Sequence, residues 1–284
     1  MDLVNGKRDV GALSRIGQAE ILAALGLIKF GRVYDLGLEI NERMPQGKRG
    51  AFVPFSRAFS ATPEGTGRDE PFSYSAEVVI GTLHTSTHID AFVHIQSEGL
   101  VYGGARAQEL RTDQGWNKYG METVPPIIGR AVLLDVAAHR GVEALPDRYE
   151  ITVGDLEAVC AQRAVTIEKG DIVLVRTGKI REFFLDPIAF DSSQPGVGSE
   201  AAIWLFEQGM AVLATDTTGT EPVPFPDARR TTHRAMLVER GVHLIENVFL
   251  DDLAADKVTV STFVCLPLKL TGATGSWVRP VAIV

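Results

Sequence analysis

The sequence predicts an α/β fold: a single domain with a mixed β-sheet core flanked by helices. Two observations carry this. Continuous apolar runs such as Ala131-Val-Leu-Leu-Asp-Val and Asp171-Ile-Val-Leu-Val-Arg have the pattern of strands buried on both faces. Between such runs lie segments with apolar residues at helical spacing, an alternation that marks α/β chains. No internal repeat, low-complexity tract or composition break divides the 284 residues, so one domain is expected. Residues 1–30 read as an arm and helix preceding a main domain over 31–284.

Taken in order, residues 1–15 form an irregular arm, and 17–31 have helical apolar spacing with Gly31 as a stop. Residues 33–40 alternate as a strand, ended by Pro45. Residues 46–70, rich in Gly, Pro, Arg and Ser, form a long connection; loops of that length are uncommon unless they cover a site. A strand over 73–80 follows, and 97–126 is loop-rich. Strands are expected at 131–136, 171–176, 211–216, 243–246, 258–265 and 278–284. Helices are expected over 152–163 with Thr152 as N-cap, over 199–208 closed by Gly209, and over 232–240 closed by Gly241.

A hydrophobic fraction of 45% and a charged fraction of 23% fit an ordinary globular chain. The net charge of -8, with no Lys/Arg cluster, excludes nucleic acid and anionic membranes as expected partners. Cys160 and Cys265 read as buried thiols of a reducing cytosol rather than as a C-x2-C motif. The first eight residues lack an apolar signal region, and no window approaches ~18 apolar residues. A cytoplasmic location is expected.

The chemistry concentrates in His84-Thr-Ser-Thr-His88-Ile-Asp90-Ala-Phe-Val-His94, which holds three of the six histidines. Three imidazoles and a carboxylate so close together match the ligand set of a catalytic zinc, manganese or iron site. On a straight strand at roughly 3.3 Å per residue, His84 and His88 would lie about 13 Å apart. Ligand nitrogens on one ion must come within about 3–3.5 Å, given metal–nitrogen distances near 2.1 Å. The chain must therefore turn through Thr85–Thr87, with His88 and Asp90 projecting to one side and a short helix carrying His94. The zincin H-E-x-x-H is absent because Thr85 follows His84, so His94 is the nearest candidate acid/base.

This segment resembles the H-x-G-T-H-x-D-x-P-x-H signature of the metal-dependent cyclase-like hydrolase family, which includes kynurenine formamidase, isatin hydrolase and a lactone-opening branch. The likeness extends to Lys169-Gly-Asp-Ile-Val-Leu-Val-Arg-Thr-Gly178, to 195–216 and to 233–248, covering roughly residues 30–284. It implies a swivelling β/β/α architecture, His84, His88 and Asp90 as metal ligands, and His94 as acid/base. It places His233 and Glu246 on the far side of the centre, binding a second ion bridged by Asp90 or orienting water and substrate. Ser86 stands where the family has Gly, and Phe92 where it often has Pro. If position 86 needs φ > 0, serine there costs on the order of 1 kcal/mol.

The expected reaction is hydrolysis of an amide, either an N-formyl aryl amine or a cyclic amide. One or two Zn²⁺ or Mn²⁺ ions per subunit would activate water as hydroxide. Lactone hydrolysis, or a lyase or cyclase step without net hydrolysis, is the alternative. A non-enzymatic scaffold role is weaker, because structural zinc is normally closed by four N/S ligands. The resemblance also implies a small-molecule substrate and a homodimer or homotetramer. Phe72, Phe92, Trp116 and Tyr119 are candidate aromatic walls. His243 reads as structural, His139 as a loop residue, and Glu221 and Asp227 as solvated. Gly196-Val-Gly-Ser-Glu-Ala201 matches a dinucleotide fingerprint by letters alone, since no strand precedes it.

Overall fold

The computed structural model describes residues 9–47, 53–61, 75–225 and 227–284. Its core is a mixed sheet of nine strands: β1 (Val33–Asp35), β2 (His88–Asp90), β3 (Ile127–Asp135), β4 (Ile172–Arg176), β5 (Val212–Thr215), β6 (His243–Glu246), β7 (Val260–Cys265), β8 (Gly275–Trp277) and β9 (Val281–Ile283). The order is β1-β9-β7-β3-β4-β5-β6-β2-β8, parallel from β3 to β6 and antiparallel elsewhere. The parallel strands β4 and β5 are buried throughout, as their unbroken apolar runs require.

The sheet is curled. Seven strand spacings of about 4.8 Å would put β8 roughly 34 Å from β9 in a flat sheet. Yet only Val278–Pro280 separate them in the chain, and four peptide steps reach at most about 14 Å. The link is held at both ends: Val278 N–H donates to Thr87 O and Leu36 N–H to Pro280 O, each at 3.0 Å. This curl brings β2, β6 and the chain after β1 to one place.

Among the described residues, three helices of eight or more residues accompany the sheet: α1 (Gln18–Leu25), α2 (Val153–Arg163) and α3 (Ser199–Gln208). Helix α1 packs on β3 and β7, with Ala24 fully buried and its carbonyl accepting from Thr262 Oγ1 at 2.6 Å. Helix α3 ends at Gly209, whose φ of 121° only glycine adopts readily.

Helix α2 begins as its sequence indicates. Thr152 Oγ1 accepts from Asp155 N–H at 3.3 Å, while Asp155 Oδ2 accepts from Thr152 N–H at 2.9 Å. The other carboxylate oxygen takes Tyr149 O–H at 2.9 Å and the Arg140 guanidinium. Burial raises the Asp155 pKa, but the hydrogen bonds outweigh it and hold the group at about 2. A depressed carboxylate contributes stability that is complete above its ordinary value near 3.8 and is lost as pH falls through about 2. Asp155→Asn is therefore expected to cost about 2 kcal/mol at pH 7, and urea melts should show the gap closing below about pH 4.

Several local expectations are corrected. The first helix stops at Leu25 instead of running towards Gly31, with Gly26 as C-cap; Gly31 lies beyond it at φ 67°. The strand over 33–40 shortens to Val33–Asp35, because its partner strand gives way to Pro280, which has no N–H to continue the ladder. The long connection contains a strand, Ser56–Ala61, paired antiparallel with Ser75–Ile80. Residues 73 and 74 of the expected 73–80 strand lie outside the described residues. The helix after Thr231 widens into a π-helix over Arg234–Val238. Strand β8 was not expected, since Thr-Gly-Ala-Thr-Gly-Ser has a turn composition.

Candidate functional site

Strand β2 lies between β6 and β8, with Glu246 opposite His88 and Gly275 opposite Asp90. Alternation along β2 puts His88 and Asp90 on one face, and the register adds Glu246 to that face. The preceding turn folds His84 back over the same spot. Ser86 adopts φ 52°, the conformation that glycine would supply without strain. Asn247 pins the turn: its Nδ2 donates to Ser86 O at 2.9 Å, and its carbonyl accepts from Thr87 Oγ1 at 2.6 Å. Thr87 Oγ1 in turn accepts from Leu38 N–H at 2.9 Å, tying the turn to the chain after β1.

Gly275 leaves the space His84 occupies, since a Cβ there would lie 2.6 Å from the ring. Thr274 Oγ1 sits 2.9 Å from His84 Nε2, and Asp90 Oδ1 sits 2.8 Å from Nδ1. His94 is carried by a single turn, with its N–H on Ala91 O at 2.9 Å, rather than by the expected helix. Its ring stacks on His84 at 3.8 Å between centroids. His233, from the start of the π-helical segment, completes the group, with Nε2 3.4 Å from Asp90 Oδ2 and 3.3 Å from Glu246 Oε1. All six predicted site residues thus converge.

The electrostatics of this cluster are unusual. His88 Nδ1 faces Ser86 O at 2.9 Å, and His233 Nδ1 faces Glu221 Oε2 at 2.6 Å. Both acceptors oblige a proton on Nδ1, so each Nε2 is aimed at carboxylate oxygens. For His88 these are Asp90 Oδ1 at 3.6 Å and Glu246 Oε2 at 3.4 Å. A proton on each Nε2, or one shared cation, satisfies that arrangement. Burial opposes charge on both rings, yet the carboxylates outweigh it and raise both pKa values above the ordinary histidine range.

Burial would raise the Asp90 carboxyl, but the surrounding imidazoles dominate and hold it well below the carboxylate range. His94 goes the other way: burial pushes it down to about 3 despite Asp90. A quarter of its side chain faces the cavity, and the direction alone leaves it neutral at pH 7.

The residues fit a metal ion. Asp90 Oδ2 is buried without a hydrogen-bond partner, although it belongs to an ionised carboxylate. Ligand atoms of His84, His88 and Asp90 lie within 4.8 Å of one another, and those of Asp90, His94 and His233 form a second such group. Imidazole nitrogens and carboxylates are the donors that zinc and manganese sites use.

Above this floor opens a cavity of about 330 Å³. Ile95, Val223, Phe225 and Ala228 give it apolar walls, and Gly47 from the long connection lies at its rim. Of the proposed aromatic walls, Phe92, Trp116 and Tyr119 are core residues away from the lining, and Phe72 lies outside the described residues. Phe92 stacks on His243 at 4.0 Å, and burial lowers His243 to about 4, in keeping with its structural reading. His139 is half-buried against Gln162, at the end of a short helix over Val136–His139. Glu221 is corrected most sharply: it is 8% exposed and bonded to His233, while Asp227 is exposed. Nothing local marks Glu221, Thr274 or Gly275 as site residues, because each arrives from a distant loop or edge strand.

Comparison with known proteins agrees with this geometry. Residues 34–222 match the family described as "Putative cyclase", a span that holds the His84–His94 segment but ends before His233 and Glu246. Kynurenine formamidase of Bacillus cereus (strain ATCC 10987 / NRS 248) is 29% identical over 230 residues, covering 75% of this chain and 88% of the relative. A crystal structure of a protein described as a novel cyclase superposes with a TM-score of 0.89 at 27% identity, covering 98% of this chain and 95% of its own. Isatin hydrolase A from Ralstonia solanacearum shares the fold, with a TM-score of 0.67 at 23% identity over 94% of this chain and 97% of its own. The chain belongs to this cyclase family.

Proposed function

We propose that the protein is a metal-dependent hydrolase that opens a small amide, either an N-formyl aryl amine or a cyclic amide. The observation that carries the reading is the buried Asp90 carboxylate beneath the cavity floor that four histidines form: Oδ2 has no hydrogen bond and lies beside His94 and His233, while Oδ1 faces His84 and His88. The relatives named kynurenine formamidase and isatin hydrolase support it.

His84, His88 and Asp90 would hold the ion. A divalent ion there supplies Lewis-acid polarisation of a carbonyl and lowers the pKa of water from 15.7 towards about 7. The chain's own residues do the rest. His94, neutral and open to the cavity, would take at Nε2 the proton that the attacking water gives up as its oxygen bonds to the carbonyl carbon, and deliver it to the nitrogen as the C–N bond breaks. Glu246 and His233 hold the opposite edge of the floor, and Thr220 Oγ1 fixes Glu246 by donating to Oε1 at 2.9 Å. Ile95, Val223 and Phe225 exclude water around a small ring.

Assembly as a homodimer or homotetramer is part of the same proposal, supported by the exposed apolar side chains of Phe59, Val78, Val79 and Ile80 on the hairpin. Sedimentation measures that directly. The functional test is a screen of formamides, cyclic imides and lactones with zinc- or manganese-replete protein. Turnover of a formamide or cyclic amide is expected; turnover of lactones alone would replace the amide assignment, and inertness towards all three would remove it.

A further inference from the structure

We propose that Glu221 is a positioning residue that sets the orientation and protonation pattern of His233, an inference that rests on the metal-site reading above. One carboxylate oxygen, Oε2, accepts twice from the same residue: from His233 Nδ1 at 2.6 Å and from His233 N–H at 3.1 Å. The first bond fixes a proton on Nδ1 and so turns Nε2 towards Asp90 Oδ2 and Glu246 Oε1. The second ties that ring to the backbone at the start of its helix. The ring can neither flip nor swing while both bonds hold. His233 belongs with Asp90 and His94 to the second group of potential ligands, and a buried carboxylate on the far nitrogen of a metal-binding imidazole orients it, so that its loss typically costs 10- to 100-fold in affinity or activity.

The rest of the loop is built to hold Glu221 in place. Gln194 Nε2 donates to Glu221 O at 2.9 Å. Gly196 is packed so tightly under the loop that a Cβ would lie 2.3 Å from the Glu221 carbonyl carbon. This explains a glycine that looks like part of a nucleotide fingerprint and serves packing instead. The neighbouring Thr220 holds Glu246, so two adjacent residues of one loop each secure one member of the remote pair.

The test uses full-length protein labelled with ¹⁵N-histidine and titrated with Zn²⁺ alone. In the wild type, His233 is expected to show a downfield, slowly exchanging Nδ1 proton with and without zinc. Glu221→Ala should lose that resonance and weaken zinc binding by roughly 10- to 100-fold. Glu221→Gln, whose amide oxygen still accepts, should keep the resonance and recover part of the affinity. An alanine variant that is folded by circular dichroism yet keeps both the resonance and its zinc affinity overturns the proposal. If the alanine variant does not fold, the glutamine variant decides, and loss of its Nδ1 resonance overturns the proposal. Failure of the wild type to take up zinc overturns the metal reading alone, because the resonance still reports on Glu221.

Discussion

Asp90→Ala is expected to abolish metal uptake and turnover together. Among the described residues, Asp90 is common to both clusters of potential ligands, and its side chain is fully buried beneath four imidazoles. Removing it leaves His84 and His94 without their anion, and Glu246, at the edge of the cluster, as the carboxylate still facing Nε2 of His88 and His233. The activity loss should exceed about 100-fold, the upper range for losing even an outer partner of a ligand. Elemental analysis of the purified variant checks the cause, and a variant that retains wild-type metal content while losing activity would show that Asp90 acts on substrate instead. The metal-free variant should also be less stable than the metal-free wild type. Breaking a buried charged pair by removing one partner costs about 3–5 kcal/mol, and His233, whose pKa burial would lower but the neighbouring carboxylates raise, faces the lost carboxylate at 3.4 Å.

His94→Ala should separate chemistry from binding. Its ring is the member of the cluster with a quarter of its surface open to the cavity, and burial keeps it neutral at pH 7. Loss of a general acid/base lowers turnover by roughly 10²- to 10⁴-fold. Metal content at saturating zinc should stay at the wild-type value, and KM should change little, because the cavity walls at Val223 and Phe225 remain. A His94 variant that loses its metal would instead make His94 a ligand, as its place in the second cluster with Asp90 and His233 allows.

What could be read beforehand divides along physical lines. His84, His88, Asp90 and His94 are close in the chain, so geometry alone demanded the turn that Ser86 makes at φ 52°. The sheet strands were legible because burial on both faces leaves unbroken apolar runs, as in β4 and β5. His233 and Glu246 came only from family resemblance; their approach depends on strand order in a curled sheet, which no local pattern encodes.

A glutamate in a Pro-rich loop is usually solvated, and Glu221 departs from that pattern. Its burial follows from contacts with Gln194 and Gly196, 27 and 25 residues earlier in the chain. Gly275 was invisible for a similar reason, since the space it leaves is needed only because His84 folds back over it. The short helix expected for His94 gave way to a single turn, Phe92 on that turn being drawn into the core against His243, Tyr102 and Tyr119.

The central claim is that Asp90 and its ring of imidazoles form a metal site, and anomalous diffraction at the zinc edge from crystals grown with Zn²⁺ tests it most directly. A peak is expected at roughly 2.0–2.2 Å from nitrogens of His84 and His88 and an oxygen of Asp90. A fully occupied crystal with no peak at this cluster, or with zinc bound only elsewhere, would contradict it.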